Sequence, residues 1–286
     1  MIVMYGASSD IGRRASALLI DQGQRLRVVS RTPLTLDPRA DRVTGDIRNA
    51  SEQCANARFV VSCAHARYTQ QLLASVPRSV EAIVCLGSAW RYSKVPNERA
   101  EKVREAEAAF LASGRSGVML HPTMIYGGSQ ENNISRVLEL LKWSPIFPLP
   151  GNGRQKVQPI YVDDVADAIA SALQKRWIGP TVAPIAGPRP MEFREMVLQI
   201  QQALGVRRPL VSLPIAPFVP IFKALNGLGA TKVDTNMFLR MREDVEHPVF
   251  WMRDALGVVP REFSVGIRQM VDTLNNPGPD RHSHSP

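Results

Sequence analysis

The sequence predicts an α/β protein: a Rossmann-type, doubly wound parallel sheet with a smaller, mostly helical C-terminal substrate region. Two observations predict this fold class. The apolar segment 2–5 runs into a Gly- and Ser-rich turn, which runs into a helical pattern of apolar residues. Apolar, strand-like segments then alternate with helical ones as far as Tyr126, which is typical of a parallel sheet covered by helices.

The turn from Gly6 to Gly12 carries the first functional prediction. A strand, a tight turn and a helix in this order place a helix N-terminus beneath a bound phosphate. The glycines permit positive φ and a close approach of the backbone to the ligand, and the Ser9 hydroxyl is able to donate to a phosphate. The turn is therefore expected to bind a dinucleotide through Gly6, Ser8, Ser9, Asp10, Ile11, Gly12 and Arg13.

The N-terminal part of the chain follows the same alternation. Its strand-like segments are apolar on both faces, which favours strands buried in a parallel sheet. Strands are expected at 26–31, 43–47, 59–64, 82–88 and 118–122. Helices are expected at 49–57, 68–76 and 96–113.

The composition changes after Tyr126, where a region rich in Pro and Gly at 145–153 separates the regular elements. Segment 159–165 predicts a strand that gives way to a helix, with Asp163 or Asp164 as its cap. The remaining elements are expected to be helices at 134–143 and 192–204, a strand at 182–187, and mostly helical fragments broken by proline at 209–270.

These patterns predict three parts. Residues 1–127 form the dinucleotide-binding domain, and parts of 157–187 complete its sheet. Residues 128–274 form the substrate and C-terminal region that is interleaved with it. The tail 275–286 has no apolar content and is expected to be disordered.

The end of the second strand indicates which dinucleotide is preferred. In a doubly wound sheet this strand end meets the adenosine ribose, and an acidic residue there favours NAD by holding the 2′-hydroxyl. The sequence instead has Arg31 after Ser30, and Arg13 after the turn. Guanidinium groups suit a 2′-phosphate, so we expect NADP(H) in preference to NAD(H). The alternative is that Arg31 is a charge of the surface loop.

The net charge of +9 permits an acidic partner. No basic run is longer than two residues, however, so no nucleic acid is expected as a partner. The three cysteines, two of them in strand-like segments, favour reduced, buried thiols. Because no leader precedes the first strand, we expect a cytoplasmic protein. The apolar segment 210–228 is interrupted by prolines and predicts no transmembrane helix; it is expected to cover the substrate pocket, or else to dock a partner protein or a membrane surface.

Four motifs in this order resemble those of the extended, and more closely the atypical, short-chain dehydrogenase/reductase superfamily. They are the glycine turn at 6–12, Gly45-Asp46-Ile47, the Leu-His-Pro-Thr-Met-Ile-Tyr-Gly segment at 120–127, and the Pro-Ile-Tyr-Val-Asp-Asp-Val segment at 159–165. Within the superfamily, the end of the long helix at 109–114 is similar to that of NAD(P)H-binding members such as the accessory subunit of respiratory complex I. The resemblance implies that the dinucleotide also contacts Asp46, Ile47, Ala64, Pro122 and Ile125.

The resemblance also implies a catalytic site, from which this sequence departs. Active members place a Ser or Thr at the end of the fifth strand and a Tyr-x-x-x-Lys pair on the next helix, where the Lys lowers the pKa of the Tyr. Ser88 matches the serine. Counting back along the helix gives either Arg99 with Val103 or Glu98 with Lys102, and neither register supplies a tyrosine.

The candidate catalytic residues are therefore Ser88, Lys102 and Tyr92, which precedes the helix. A structural aromatic is the alternative role for Tyr92. His121 stands where the superfamily usually has Arg, and is either a polar group of the pocket or a packed histidine at a strand end. No Cys and His pairing at metal-ligand spacing occurs, so no metal is expected.

Two functions follow from the resemblance. The first is an NADP(H)-dependent oxidoreductase or epimerase/dehydratase-like enzyme with a degenerate Tyr-x-x-x-Lys site and a small-molecule substrate. The second is a non-catalytic nucleotide-binding sensor or accessory subunit. A homo-oligomer or a partner protein is possible in either case, and the motifs do not identify the substrate.

Overall fold

The computed structural model describes residues 1–128, 133–214, 227 and 243–276. A seven-stranded sheet has the order β11-β6-β5-β4-β1-β2-β3, and every neighbouring pair is parallel. Its strands are β1 (Ile2–Tyr5), β2 (Leu26–Ser30), β3 (Asp41–Thr44), β4 (Phe59–Ser62), β5 (Ala82–Leu86), β6 (Gly117–Pro122) and β11 (Pro180–Ile185). This sheet, with helices on both faces, confirms the predicted α/β Rossmann-type fold.

Helices cover both faces of the sheet because successive side chains of its strands point in opposite directions. Met4 packs on the face covered by helices α1 and α6, whereas its neighbour Val3 packs on the face covered by α3 and α4. The helices are α1 (Asp10–Asp21), α2 (Ala50–Gln53), α3 (Thr69–Ser75), α4 (Glu98–Ala112), α5 (Asn133–Trp143), α6 (Val162–Leu173), α7 (Phe193–Leu204), α8 (Phe250–Leu256) and α9 (Phe263–Asn275).

A separate core lies in the C-terminal region, where α5, α7 and α9 pack their apolar faces together. Leu138, Ile200 and Ile267 are at most 2% exposed in this core. Small sheets border it. Their strands are β7 (Ile125–Tyr126), β8 (Phe147–Pro150), β9 (Lys156–Val157), β10 (Ile160–Tyr161), β12 (Met191–Glu192) and β13 (Leu210–Leu213).

Strand β13 corrects the prediction of helical fragments from residue 209 onward. It pairs in parallel with β8 over four residues. Backbone hydrogen bonds from Phe147 to Pro209 (2.8 Å) and from Gly151 to Leu213 (2.7 Å) close the pair at both ends. Four residues are too few to show a helical or strand period, so only the pairing with β8 reveals the strand. Most of segment 210–228 lies outside the described residues, as does the tail from residue 277.

The predicted cap of helix α6 is wrong. The helix begins at Val162 with Tyr161 as its N-cap, so Asp163 and Asp164 lie in its first turn. Asp163 instead pairs with Arg14 of α1, at 2.9 Å. Asp164, which is buried, accepts hydrogen bonds from the backbone N–H and Nε of Arg261, at 2.9 and 2.8 Å. Both carboxylates connect α6 to other elements, a use that sequence spacing does not show.

Strand β3 also ends earlier than expected, at Thr44 rather than residue 47. Asp46 is the N-cap of a 3₁₀ turn at Ile47–Asn49, and its carboxylate accepts from the Arg48 N–H at 2.9 Å. This local hydrogen bond competes with continuation of the strand.

The three cysteines, Cys54, Cys63 and Cys85, are free and buried, as predicted. In the part of the chain that the structure describes, no helix is both long enough and apolar enough to cross a bilayer.

Candidate active site

The glycine turn closes tightly against the end of β4. Gly6 has φ +79°, and a Cβ built on it would lie 2.4 Å from the Ala64 nitrogen. A Cβ on Gly12 would lie 2.3 Å from the Gly6 carbonyl oxygen. Both positions therefore require glycine for a close approach of backbone to backbone, which sets the N-terminus of α1 at the carboxyl end of β1.

Ser9 holds this turn together from inside. As the N-cap of α1, its hydroxyl accepts from the Gly12 N–H at 3.1 Å and donates to the Gly6 carbonyl at 2.8 Å. A serine hydroxyl has one proton to donate. In this structure that proton goes to Gly6 and the side chain acts as a cap, so a donation from Ser9 to a phosphate would have to replace the bond to Gly6.

A first cavity of about 610 Å³ lies at the carboxyl ends of β1 to β4. Two cations line it, Arg31 and Arg67. Asp46 also lines it, but the Arg48 guanidinium and N–H hydrogen-bond its carboxylate and hold its pKa below the usual range. The predicted cofactor residues along this cavity are Gly6, Ser8, Ser9, Arg31, Asp46, Ile47 and Ala64.

A second cavity of about 410 Å³ continues from the first and shares Ala64 and His65 with it. The predicted residues Ile11, Ser88, Pro122 and Ile125 line the second cavity. The remaining predicted residues, Asp10, Gly12 and Arg13, line neither cavity. Arg13 lies in the first turn of α1, with Nη2 3.5 Å from Asp10 Oδ1.

The structure distinguishes between the two registers proposed for α4, because the residues of only one of them face the second cavity. Arg99 and Val103 line it. Glu98 and Lys102 instead form an ion pair with each other on an exposed part of the helix. Residues four apart share a helix face, so the register with Arg99 and Val103 is the one directed at the site. The structure does not bring Lys102 to either cavity.

Tyr92 lies beside the site among other rings. Its ring packs edge-on against His121, with centroids 5.9 Å apart, and against His247 at 4.7 Å. Burial raises the pKa of its hydroxyl. Tyr92 does not line the two cavities, and these contacts are those of a structural aromatic.

A buried polar chain fixes the position of Ser88. The Ser88 N–H donates to His121 Nδ1 at 3.1 Å, and His121 Nε2 lies 2.9 Å from Glu107 Oε2. The Arg91 Nε is 2.9 Å from both oxygens of Glu107. His121 is 0% exposed, and burial lowers its pKa. The imidazole is therefore neutral at physiological pH, with Nδ1 as an acceptor. Of the two alternatives for His121, the packed histidine at a strand end is the one found.

Sequence reasoning missed Arg91 and Glu107. They are 16 residues apart on a loop and a helix, so no motif spacing joins them. One feature of the sequence could have indicated them. Glu107 is the single acidic residue on the buried face of α4, and a buried acidic residue requires a partner.

A third cavity of about 540 Å³ lies between the central sheet and the C-terminal region. It shares Ser88, Pro122 and Ile125 with the second cavity. The three cavities thus form one groove, with Ser88 at the junction of the second and third. Among the described residues, no group of His, Cys, Asp and Glu is arranged to hold a metal ion.

No protein-family model matches the sequence, and no curated protein is similar to it. Solved structures are similar in fold. MoeE5, in complex with UDP-glucose and NAD, has a TM-score of 0.74 at 19% identity, over 96% of this chain and 98% of that chain. The UDP-glucose 4-epimerase of Thermotoga maritima has a TM-score of 0.73 at 15% identity, over 96% and 98%. The two share this chain's fold.

A third similar structure is TunA, an NAD-dependent NDP-hexosamine 5,6-dehydratase, with a TM-score of 0.73 at 13% identity over 96% and 97% of the two chains. These structures confirm the fold that the four motifs implied. These identities are too low to carry over a substrate or an activity.

Proposed function

We propose that the chain binds NADP(H) along the first and second cavities and acts as an oxidoreductase or epimerase/dehydratase-like enzyme on a small substrate in the third. The observation that carries this proposal is the continuity of the groove. Ala64 joins the first two cavities and Ser88 joins the last two. A crevice at the carboxyl ends of parallel strands is where ligands bind in open α/β sheets.

The residues present fit a dinucleotide. The turn at Gly6 and the N-terminus of α1 suit the pyrophosphate. Ile47 and Ala64 border the cavity proposed for the adenosine half, and Pro122 and Ile125 border the one proposed for the nicotinamide half. When bound, NADP(H) supplies a hydride donor or acceptor there. MoeE5, with the same fold, was solved with NAD.

Ser88 is the group proposed to hold a substrate oxygen at this junction. Its hydroxyl accepts from the Trp90 N–H at 3.3 Å. Within the described part of the chain it donates to no protein group, so its proton is available to a ligand. The His121 acceptor fixes the backbone of Ser88 and thereby aims this hydroxyl.

The preference for NADP(H) rests on the charge of the first cavity. Arg31 lines it and forms no hydrogen bond or salt bridge with the described residues. The other cation, Arg67, donates to the Tyr68 hydroxyl at 2.7 Å. No acidic residue occupies the end of β2, so a 2′-phosphate meets a guanidinium without a competing carboxylate on that strand.

A second candidate function is nucleotide binding without turnover, as in a sensor or an accessory subunit. It is favoured by Arg99 and Val103, which face the second cavity at the positions where the resemblance implies Tyr and Lys. No tyrosine of the described residues lines the second or third cavity. Protonation of a substrate oxygen by a lysine-activated tyrosine therefore has no group to perform it here.

Titration with NADPH and NADH, followed by a screen for turnover with aldehydes, ketones and nucleotide sugars, separates these functions. The enzyme proposal expects tight NADPH binding and hydride transfer to at least one class. Tight binding without turnover of any class supports the second candidate instead. If neither dinucleotide binds, both proposals fail.

A further inference from the structure

We infer that the third cavity takes an apolar molecule with one hydrogen-bond acceptor, such as an aromatic ketone, and not a sugar nucleotide. The inference rests on the proposed function in one respect only: that function is what makes this ligand the substrate. Binding in the cavity is tested without the dinucleotide, so the two proposals can fail separately.

Most of the wall of the cavity is apolar. Its larger apolar side chains come from the loop after β5, the turn between β6 and β7, α5, β8 and α7, and residues around β9 and at 243–245 complete the lining. The larger ones are Trp90, Met124, Val137, Phe147, Phe193 and Met196. A volume of about 540 Å³ with such walls is typical of sites that bury most of the surface of a small apolar ligand.

Two of the polar side chains in the wall, Gln158 and Glu243, are hydrogen-bonded to protein groups behind it. The Gln158 amide donates to the Gly187 and His247 carbonyls at 2.8 and 3.0 Å and accepts from the His247 N–H at 2.7 Å. Glu243 accepts from the Ser93 hydroxyl and the Lys94 N–H, both at 2.6 Å. A nucleoside diphosphate buried there would leave many of its polar atoms unpaired, and each costs about 1–3 kcal/mol.

Two cations also line the cavity, Arg136 and Lys156. Arg136 is exposed on α5, and the charge of Lys156 acts on Glu195, whose pKa it helps to lower. Solvent therefore screens the Arg136 charge and Glu195 partly offsets that of Lys156, although both residues belong to the lining. The alternative is a ligand whose diphosphate binds these two cations. UDP-glucose represents that alternative in the experiment below.

Gln155 is a polar residue in the lining of the cavity. Its side-chain nitrogen, Nε2, is buried and has no hydrogen-bond partner in the described part of the chain. A buried donor without a partner is unfavourable, and a turn of the Gln155 side chain toward the cavity would let a ligand carbonyl satisfy it. With the Ser88 hydroxyl at the junction with the second cavity, the site presents donors to a ligand oxygen and apolar surface to the rest.

Benzophenone and diphenylmethane are a matched pair of probes, since they differ only in the carbonyl. Benzophenone binding is followed by the quenching of tryptophan fluorescence, diphenylmethane binding is followed by its displacement of benzophenone, and Trp90→Phe identifies the signal from the cavity. We expect benzophenone to bind more tightly than diphenylmethane and UDP-glucose not to displace it. Equal affinities of the two probes, binding of neither, or displacement by UDP-glucose would overturn the inference, whatever NADPH does.

Gln155→Leu removes the donor and keeps the apolar volume. We expect roughly a 3- to 10-fold loss of affinity for benzophenone and an unchanged affinity for diphenylmethane, which also shows that the cavity has folded. Gln71→Leu makes the same substitution at an exposed glutamine of α3 that lines none of the three cavities, and as the control it should leave both affinities unchanged. A loss for both probes in a folded Gln155→Leu protein, or no loss for either, contradicts the role of Gln155. If this variant does not fold, the comparison of probes on the wild-type chain still decides.

Discussion

The backbone N–H of Ser88 donates to Nδ1 of His121 across 3.1 Å, which ties the loop after β5 to strand β6. A Cβ on Gly87 would lie 2.3 Å from the same nitrogen, so the loop can approach the ring only because residue 87 is glycine. On the other side of the imidazole, Glu107 is held by Arg91. The residue at the centre of the groove is thus positioned by a buried neutral histidine.

This arrangement predicts that stability falls at mildly acidic pH. Burial lowers the pKa of His121 below its ordinary 6.5. The unfolded chain therefore binds more protons as the pH falls below about 6.5, and folding becomes less favourable. The contribution is fully present above the unfolded pKa and is lost as the pH falls toward the lower, folded one. Urea unfolding at a series of pH values measures it.

His121→Asn provides the matched variant, because its side-chain oxygen keeps an acceptor for Ser88 and does not titrate. The free energy of unfolding of the variant should depend less on pH than that of the wild-type protein over the same range. Parallel pH curves for the two proteins would show that His121 is not the group responsible.

Substitutions at Gly6 and Gly23 test the glycine turn, because the two residues have the same backbone conformation and differ in what surrounds them. Both have positive φ, +79° and +73°, but an added Cβ meets nothing within 4 Å at Gly23 and the Ala64 nitrogen at 2.4 Å at Gly6. Gly23→Ala should cost about 1–2 kcal/mol of stability from the left-handed conformation alone. Gly6→Ala should cost more and should also weaken NADPH binding, because the turn must move away from β4.

Unfolding free energies and NADPH titrations of the two variants provide the comparison. Equal losses of stability, with NADPH affinity unchanged in both, would mean that the close contact between the turn and β4 is not needed.

The sequence predicted the central sheet well because parallel strands buried on both faces are continuous apolar runs. The apolar run predicted strand β1, and the structure has Ile2–Tyr5. The glycine turn was predicted for a similar reason, since its conformation is local. Ser9 shows the limit of that reasoning: a serine is compatible with a phosphate donor and with a cap, and only the position of the Gly6 carbonyl decides between them.

Long-range contacts account for what could not be predicted. The register of α4 was open because Lys102 and Val103 are adjacent in sequence, and only the packing of the helix turns one of them toward the cavity. The wall of the third cavity could not be predicted from the sequence either. Met124, Phe147 and Phe193 lie far apart in the chain and share no motif.

Arg31→Ala should weaken NADPH binding roughly ten-fold or more and leave NADH binding nearly unchanged. The reason is that a charge-assisted contact with the 2′-phosphate is lost, and NADH has no such phosphate. Arg13→Ala tests the second arginine that the sequence assigned to this preference. Because Arg13 lines neither cavity and faces Asp10, we expect a smaller effect. An equal loss for NADPH and NADH in Arg31→Ala would refute the assignment.

Arg99→Met and Lys102→Met form a matched pair of charge removals on α4. Arg99 lines the second cavity, has no hydrogen-bond partner for its guanidinium among the described residues, and meets no carboxylate in the lining. Lys102 is paired with Glu98. If the nicotinamide half of the dinucleotide lies in this cavity, Arg99→Met should weaken NADPH and NADH equally, by several-fold, since both share that half.

Lys102→Met should leave both affinities unchanged. Arg31 and Arg99 are thus expected to differ. Arg31→Ala should weaken NADPH binding alone, whereas Arg99→Met should weaken the binding of both dinucleotides. A loss of affinity in Lys102→Met alone would reverse the register and return Lys102 to the site. If Arg99→Met instead leaves both affinities intact while turnover falls, the guanidinium acts on the substrate, and the enzyme function is favoured over binding alone.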